Sequence, residues 1–267
     1  MRVGDLLGQG ALGEVRRGEH EGSPVALKTV CSELDLGSEE GKTLVKEIGM
    51  MSHAFRHPNI VEFYGIYEHN GLPWLVMELM VGGSLEQYYQ VKKKSRRGWQ
   101  PKLERAMSWV GDILSALAFL HSQQPPVIHR DIKPANMLLT ANGKTLKVGD
   151  FGLSRNMISL NAHHELTGVK GTFRYMAPEI FRGEPRYTAA VDVYSFSLVM
   201  WYIFAGEHPF SNVDGFSVAS MAAKFNFRPA VLSERIMPKI LQEMMIMSWA
   251  ETAEERPRAE DLLLDLE

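Results

Sequence analysis

Two periodicities alternate along the chain, and the change between them divides it. In the first part, short runs with apolar and polar positions in strict alternation dominate. Residues 3–7 and 14–18 read as strands on either side of a glycine-rich turn. Residues 24–30 read as a third strand, with Val25 and Leu27 on one face and Ala26, Lys28 and Val30 on the other. Residues 60–67 and 73–79 form a hairpin through Asn70-Gly71. Between the third and fourth strands, residues 39–54 switch to helical spacing, with Leu44, Ile48 and Met51 on one face. The expectation is a small N-terminal lobe of five antiparallel strands and one helix.

Beyond it the helical period takes over. Residues 84–91 open a helical region. Leu103, Met107, Val110, Leu114 and Leu117 then recur at helical spacing and predict a long core helix that ends near His121. One hairpin interrupts the helices: runs 136–140 and 145–148 flank a turn at Asn142-Gly143. Residues 154–170 carry no period at all, and a long patternless loop inside a compact domain is usually functional or mobile. Residues 191–205 read as a buried helix capped by Thr188; they contain Asp192 and are too few to span a bilayer. Helical segments at 217–224, 238–249 and 258–266 close the chain, and no internal repeat is present.

Composition narrows the function classes. A chain of 267 residues can hold one large domain or two lobes around one cleft. A net charge of −3 gives no global pull toward nucleic acid or anionic membrane, so neither nucleic acid binding nor membrane insertion is expected. The single cysteine, Cys31, excludes an internal disulfide and fits a reducing compartment, with a cytoplasmic setting as the expectation. The opening residues lead straight into patterned sequence, so no signal peptide is expected, and the abrupt ends suit a domain of a longer protein.

The candidate chemistry gathers in a few short stretches. Gly8-Gln9-Gly10-Ala11-Leu12-Gly13 lets backbone approach phosphates closely. A dinucleotide-binding reading would need a helix next, but a strand follows, so this turn suits a flap lying over phosphates. The bland reading is a plain glycine-rich hairpin. Glu47 falls on the apolar face of the 39–54 helix and needs a partner there, for which Lys28 is the natural choice. The stretch Gly37-Ser38-Glu39-Glu40-Gly41-Lys42-Thr43 resembles a phosphate-binding P-loop but is one residue short and places carboxylates where phosphates would sit. Around the central hairpin stand Asp131, Lys133, Asn136 and Asp150. Asp and Asn offer hard oxygen ligands suited to Mg²⁺, and an Asp beside a Lys suits a proton acceptor next to a phosphate-neutralising cation. Met77-Glu78-Leu79-Met80-Val81-Gly82-Gly83 reads as a hinge whose backbone could meet a purine edge. The basic run of Lys92, Lys93, Lys94, Arg96 and Arg97 reads as a solvated loop, with docking of an acidic partner as the sharper alternative. His163-His164 has no third ligand at usable spacing and reads as loop surface.

Taken together and in order, these motifs resemble the eukaryotic protein kinase catalytic domain over nearly the whole chain. The resemblance implies a bilobal α+β fold, with residues 1–79 as the five-stranded N-lobe, 80–83 as the hinge and 84–267 as a larger, mainly helical C-lobe. It implies ATP and Mg²⁺ as cofactors. Gly8, Gln9, Gly10 and Gly13 would cover the phosphates, and Val15, Ala26, Met77 as gatekeeper, Glu78, Met80 and Leu138 would surround the adenine. Lys28, positioned by Glu47, would hold the phosphates. Asp131 would accept the proton of the substrate hydroxyl, Lys133 would neutralise the γ-phosphate, and Asn136 and Asp150 would hold the metal. Glu179 and Arg256 would brace the C-lobe, and Met51, Phe63, His129 and Phe151 would stack into a spine anchored by Asp192.

Lys133 and Thr172 imply serine/threonine specificity, and the 192–196 run with Trp201 is similar to the tyrosine-kinase-like group, in which dual specificity also occurs. The partners implied are a protein substrate and an upstream kinase or a second copy acting in trans. Arg130 before Asp131 implies control by phosphorylation of the activation loop, at Thr167 first and at Ser159 or Thr172 second. Leu12 departs from the pattern, since many members carry an aromatic there. A pseudokinase scaffold is the main alternative. Lys28, Asp131 and Asp150 are all retained, which favours the enzyme. A small-molecule kinase is disfavoured by the complete segment 171–179, which forms a peptide platform in protein kinases.

Overall fold

In a computed structural model of the chain, the structure describes residues 2–10, 13–29, 56–69, 72–150 and 173–266. The expected helix at 39–54 with Glu47 and Met51, the loop tip at Leu12, and the stretch with Phe151, Ser159, Thr167 and Thr172 lie outside the described residues. Five strands form one antiparallel sheet: β1 (Arg2–Gly10), β2 (Gly13–His20), β3 (Ser23–Thr29), β4 (Phe63–His69) and β5 (Leu72–Glu78), in the order β1-β2-β3-β5-β4. Directly opposed residues share a sheet face. Val15 opposes Lys28, which opposes Leu75, while Ala26 opposes Met77, which opposes Phe63. These residues therefore line one face. Val25, Leu27, Trp74 and Val76 pack on the other face as a small core, which is the division that alternation predicts for β3.

The helices begin after the hinge. Helix α1 (Leu85–Ser95) starts with a capping box, in which Ser84 and Gln87 exchange side-chain and backbone bonds. It runs longer than the pattern predicts. Lys92, Lys93 and Lys94 belong to its last turn, not to a loop. Lys93 is tied to the carbonyl of Gly206, at the C-terminal end of another helix, and Lys92 lies over the Tyr88 ring. Helix α2 (Leu103–His121) is the long core helix, and Val110, Leu114 and Leu117 are fully buried as expected, but the buried face is wider than the expected stripe and leaves out its first residue. Leu103 is 47% exposed, whereas Trp109, Ile113, Leu114, Leu117 and Leu120 are fully buried. The reason is that α2 is enclosed from several directions by the hairpin and by two later helices. Each of those large side chains contributes about 1.5–3 kcal/mol.

The hairpin comprises β6 (Met137–Leu139) and β7 (Leu146–Val148), and it joins both halves of the molecule. Val148 bonds to Asn59 and Val61 on one side, and Leu139 bonds to Gly82 and Gly83 on the other. Beyond it, α3 (Pro178–Phe181) is a single turn that periodicity cannot reveal. Helix α4 (Ala190–Ala205) is buried on every side and forms the centre of the C-terminal half. The N-cap is Ala189, without a side-chain cap bond, in place of the expected Thr188, which stands one residue earlier and accepts the N–H of Ala190 at 3.3 Å; Gly206 in the left-handed conformation ends the helix. Helix α6 (Lys239–Ser248) packs on it, α7 (Ala259–Leu266) packs on α2, and α5 (Gly215–Phe225) packs against α3 and the turn at Phe173–Tyr175. Among the described residues no helix is long and apolar enough to cross a membrane.

Buried polar groups fix the C-terminal half. Arg256 meets Glu179 through two bonds of 2.6 and 2.9 Å, and its remaining N–H groups go to the carbonyls of Ala190, Ala250 and Glu251. All five guanidinium donors are thus used. Removing one partner strands a buried charge. Glu179→Ala is expected to lower stability by about 3–5 kcal/mol, read as a drop in the urea midpoint. His57 offers a pH-dependent test. Its Nδ1 accepts the Asn59 N–H at 3.1 Å, its Nε2 lies 3.4 Å from Ser115 Oγ, and burial holds its pKa below the ordinary 6.5. The unfolded chain therefore binds this proton more readily. The stabilisation is full above the ordinary value and is lost as pH falls through the lowered one. Between about pH 7 and 5, the urea midpoint of wild type is expected to fall more steeply than that of His57→Asn.

Candidate active site

The site is built on the loop that precedes the hairpin. His129 is fully buried, and its Nδ1 accepts the amide N–H of Asp131 at 3.2 Å. The other nitrogen, Nε2, therefore carries the hydrogen and donates to the Gly149 carbonyl at 2.9 Å. Asp192 reaches up from α4 and accepts the amide N–H groups of His129 and Arg130, each at 2.8 Å, as well as His121 Nε2 at 2.9 Å. One carboxylate thus holds two successive peptide groups of the loop. Arg130 and Asp150 both have positive φ, 69° and 59°. This backbone is costly for residues with a side chain, and it recurs where geometry serves function.

A single 3₁₀ turn, Pro134–Asn136, then sets Asn136 against Asp131. Asn136 Nδ2 donates to the Asp131 carbonyl at 2.8 Å and to its Oδ2 at 2.9 Å. Lys133 Nζ lies 2.8 Å from the same oxygen. The amide of Gly149 bonds to the Asn136 carbonyl at 2.8 Å, which fixes the start of the Asp150 segment to the turn. From the sheet, buried Lys28 reaches Asp150 Oδ1 at 2.7 Å. The structure therefore brings together Lys28, Asp131, Lys133, Asn136 and Asp150, as the sequence predicts. The expected partner of Lys28, Glu47, lies outside the described residues. Among the described residues no group of three or more His, Cys, Asp or Glu side chains could hold a metal ion.

The remaining site residues surround the same cleft. Gly8, Gln9 and Gly10 pair with Val15, Glu14 and Gly13, so the glycine-rich segment is a two-stranded flap. Gly13 has φ 123°, and a Cβ there would run into Thr29, so only glycine fits. Ala26 and Met77 are cross-strand neighbours on the cleft face. Leu138 bridges to Ser84 and lies close under Gly149. The amide of Glu78 is taken by the Glu62 carbonyl at 2.8 Å, whereas the carbonyl of buried Met80 accepts the Gly83 N–H at 3.0 Å. Periodicity gives no hint of the Glu78 carboxylate, which bonds Lys147 Nζ through both oxygens at 2.8 and 2.9 Å. Nor does it show Arg174, which donates to the carbonyls of Pro209, Phe210 and Val213 and so fixes the segment after residue 172. The spacing of these partners is too long for a local pattern to carry.

Similarity to known proteins follows the same course. The plant serine/threonine-protein kinase VIK of Arabidopsis thaliana is 34% identical over 265 residues, covering 98% of this chain and 58% of the relative. The seven transmembrane domain-containing tyrosine-protein kinase 1 of Dictyostelium discoideum is 34% identical over 96% of this chain and 36% of its own length. Mitogen-activated protein kinase kinase kinase 7 of Drosophila melanogaster is 32% identical over 95% of this chain and 35% of its own. The chain thus spans between about a third and three fifths of the length of these relatives. The sequence profile of the protein kinase domain matches residues 1–265, which takes in both the flap and the Arg256 brace. This chain belongs to the protein kinase family.

Proposed function

We propose that the chain transfers the γ-phosphoryl group of ATP to serine or threonine hydroxyls of proteins. The observation that carries the reading is the joining of Asp131, Lys133 and Asn136 on one loop to Lys28 and Asp150 across the cleft. Phosphoryl transfer depends mainly on positioning and charge neutralisation, and this arrangement supplies both. Asp131 takes the proton of the substrate hydroxyl as the oxygen attacks, and the bond to the ADP oxygen breaks on the opposite side. Asn136 and Lys133 orient the Asp131 carboxylate and spread its charge. Lys28 offers its ammonium to phosphate oxygens, and the glycine flap closes over them.

Asn136 commits its Nδ2 to Asp131, so its Oδ1 is the atom that can serve as a ligand, beside the Asp150 carboxylate. These two hard oxygens would hold Mg²⁺, which would neutralise phosphate charge. Val15, Ala26, Met77 and Leu138 form the apolar walls for the adenine, and the peptide groups of Glu78 and Met80 meet its edge, with residues 80–83 as the hinge between lobes 1–79 and 84–267. The name of the plant relative supports serine/threonine specificity. The name of the Dictyostelium relative supports dual specificity as the second reading. A cytoplasmic setting accords with the single cysteine.

Control by phosphorylation is part of the same proposal. The guanidinium of Arg130 lies 5.0 Å over the Tyr187 ring, and its buried Nε has no hydrogen-bond partner among the described residues. A buried donor left over is what an arriving phosphate would satisfy. The donor of that phosphate is an upstream kinase or a second copy in trans, and Thr167 is the favoured acceptor.

Asp131→Asn is expected to reduce transfer of labelled phosphate from ATP to a protein substrate by about 10²–10⁴-fold. Wild-type transfer no higher than that of Asp131→Asn and Asp150→Asn would favour the scaffold reading instead. Phosphoamino-acid analysis of the product separates serine/threonine from dual specificity. Thr167→Ala is expected to lower activity, and full activity in that variant would remove Thr167 from the account.

A further inference from the structure

Glu86 is a carboxylate beside the site that the mechanism above does not use. It stands in the first turn of α1, two residues beyond the cap Ser84. An acidic residue there ordinarily faces water and gains from the helix dipole. This side chain is turned inward and is only 29% exposed. Its surroundings come from three other elements. Lys133, the partner of Asp131, acts on it electrostatically. Tyr175, from the segment after residue 172, and Tyr202, from α4, feel its charge. His208 Nε2 lies 3.5 Å from its Oε1, a distance too long for a strong bond. Among the described residues nothing donates a hydrogen bond to its oxygens. Burial raises its pKa above the ordinary 4.5, the sign of a carboxylate short of compensation.

His208 does not supply that compensation. Its Nδ1 is 2.9 Å from the Tyr175 hydroxyl, and burial together with Arg174 lowers its pKa below 6.5. It is therefore mainly neutral at physiological pH. The result is a half-buried negative charge between the loop that carries Asp131 and the segment 173–179. Glu86 lies beside Lys133, the partner of Asp131, and beside Tyr175 of that segment, so a peptide whose hydroxyl rests at Asp131 and whose backbone follows the segment would run close to it.

We infer that Glu86, backed by His208, is a subsite for a cationic side chain of the protein substrate, an arginine or lysine near the accepting hydroxyl. A guanidinium would give the carboxylate charge-assisted bonds that the protein itself withholds. A neutral side chain would leave it as it is, so the subsite discriminates by charge. The inference rests on the phosphotransfer reading, and its test keeps the two apart. A serine peptide is prepared with arginine or its neutral isostere citrulline at each flanking position in turn. Binding is measured by fluorescence anisotropy, and phosphate transfer is followed in parallel. At one position wild type is expected to bind the arginine peptide about tenfold more tightly, and Glu86→Gln is expected to bring that ratio close to one. Glu86→Lys is expected to favour glutamate over glutamine at the same position. No arginine preference at any position in wild type, or a preference that survives Glu86→Gln, overturns the inference. Charge-selective binding without transfer leaves the subsite standing and brings down the phosphotransfer reading.

Discussion

The catalytic loop depends on one buried carboxylate. Asp192 has no exposure to solvent, and an ion in such a place is tolerated only when its oxygens are fully engaged. Here they are engaged by two successive backbone amides and an imidazole. Those bonds also hold the positive φ of Arg130. Without them, the loop has little reason to keep a conformation that the backbone alone disfavours. The direction of Asp131, the tautomer of His129 and the link to Gly149 all follow from this anchor. The anchor in turn depends on α4, which is buried on all sides.

A second layer of organisation comes from charge. Lys28 with Asp150 and Lys133 with Asp131 place two cation–carboxylate pairs on opposite sides of the cleft. Each pair sets a lysine ammonium against a carboxylate at 2.7 or 2.8 Å. Such pairs cost less than lone buried charges and keep the site soluble and ordered before any substrate arrives. Farther out, Glu78 with Lys147 links the end of the sheet to the hairpin, and Glu179 with Arg256 links the segment after residue 172 to the last part of the chain. The active-site geometry is therefore supported by ion pairs at both ends.

Much of this was legible in the sequence, and the exceptions have physical causes. Alternation at Val25 to Lys28 and helical spacing at Val110, Leu114 and Leu117 reflect local burial, so they locate strands and helices within a few residues. The cluster of Asp131, Lys133, Asn136 and Asp150 is compact along the chain and is visible as a motif. Lys28 joins it only through a strand far upstream, and that step relied on family resemblance. Leu103 was misjudged because a period shows that one face is apolar, not how many neighbours enclose the helix. The one-turn helix α3 is shorter than any period. Lys93 was read as solvent-facing because the carbonyl it meets belongs to Gly206, more than a hundred residues away. Glu86 carried no signal at all, since an acidic residue early in a helix is what ordinary capping provides.

The hairpin of β6 and β7 has a mechanical consequence. It is bonded to residues 59–61 on one side and to residues 82–83 on the other, so it ties the stretch before β4 to the stretch after β5. Residues 59–61 lead into β4 and residues 82–83 follow β5, so the β4–β5 pair is fastened to the small hairpin at both of its open ends. The 2.7 Å bond between Lys28 Nζ and Asp150 Oδ1 adds a third tie, from β3 in the middle of the sheet to the residue that follows the hairpin.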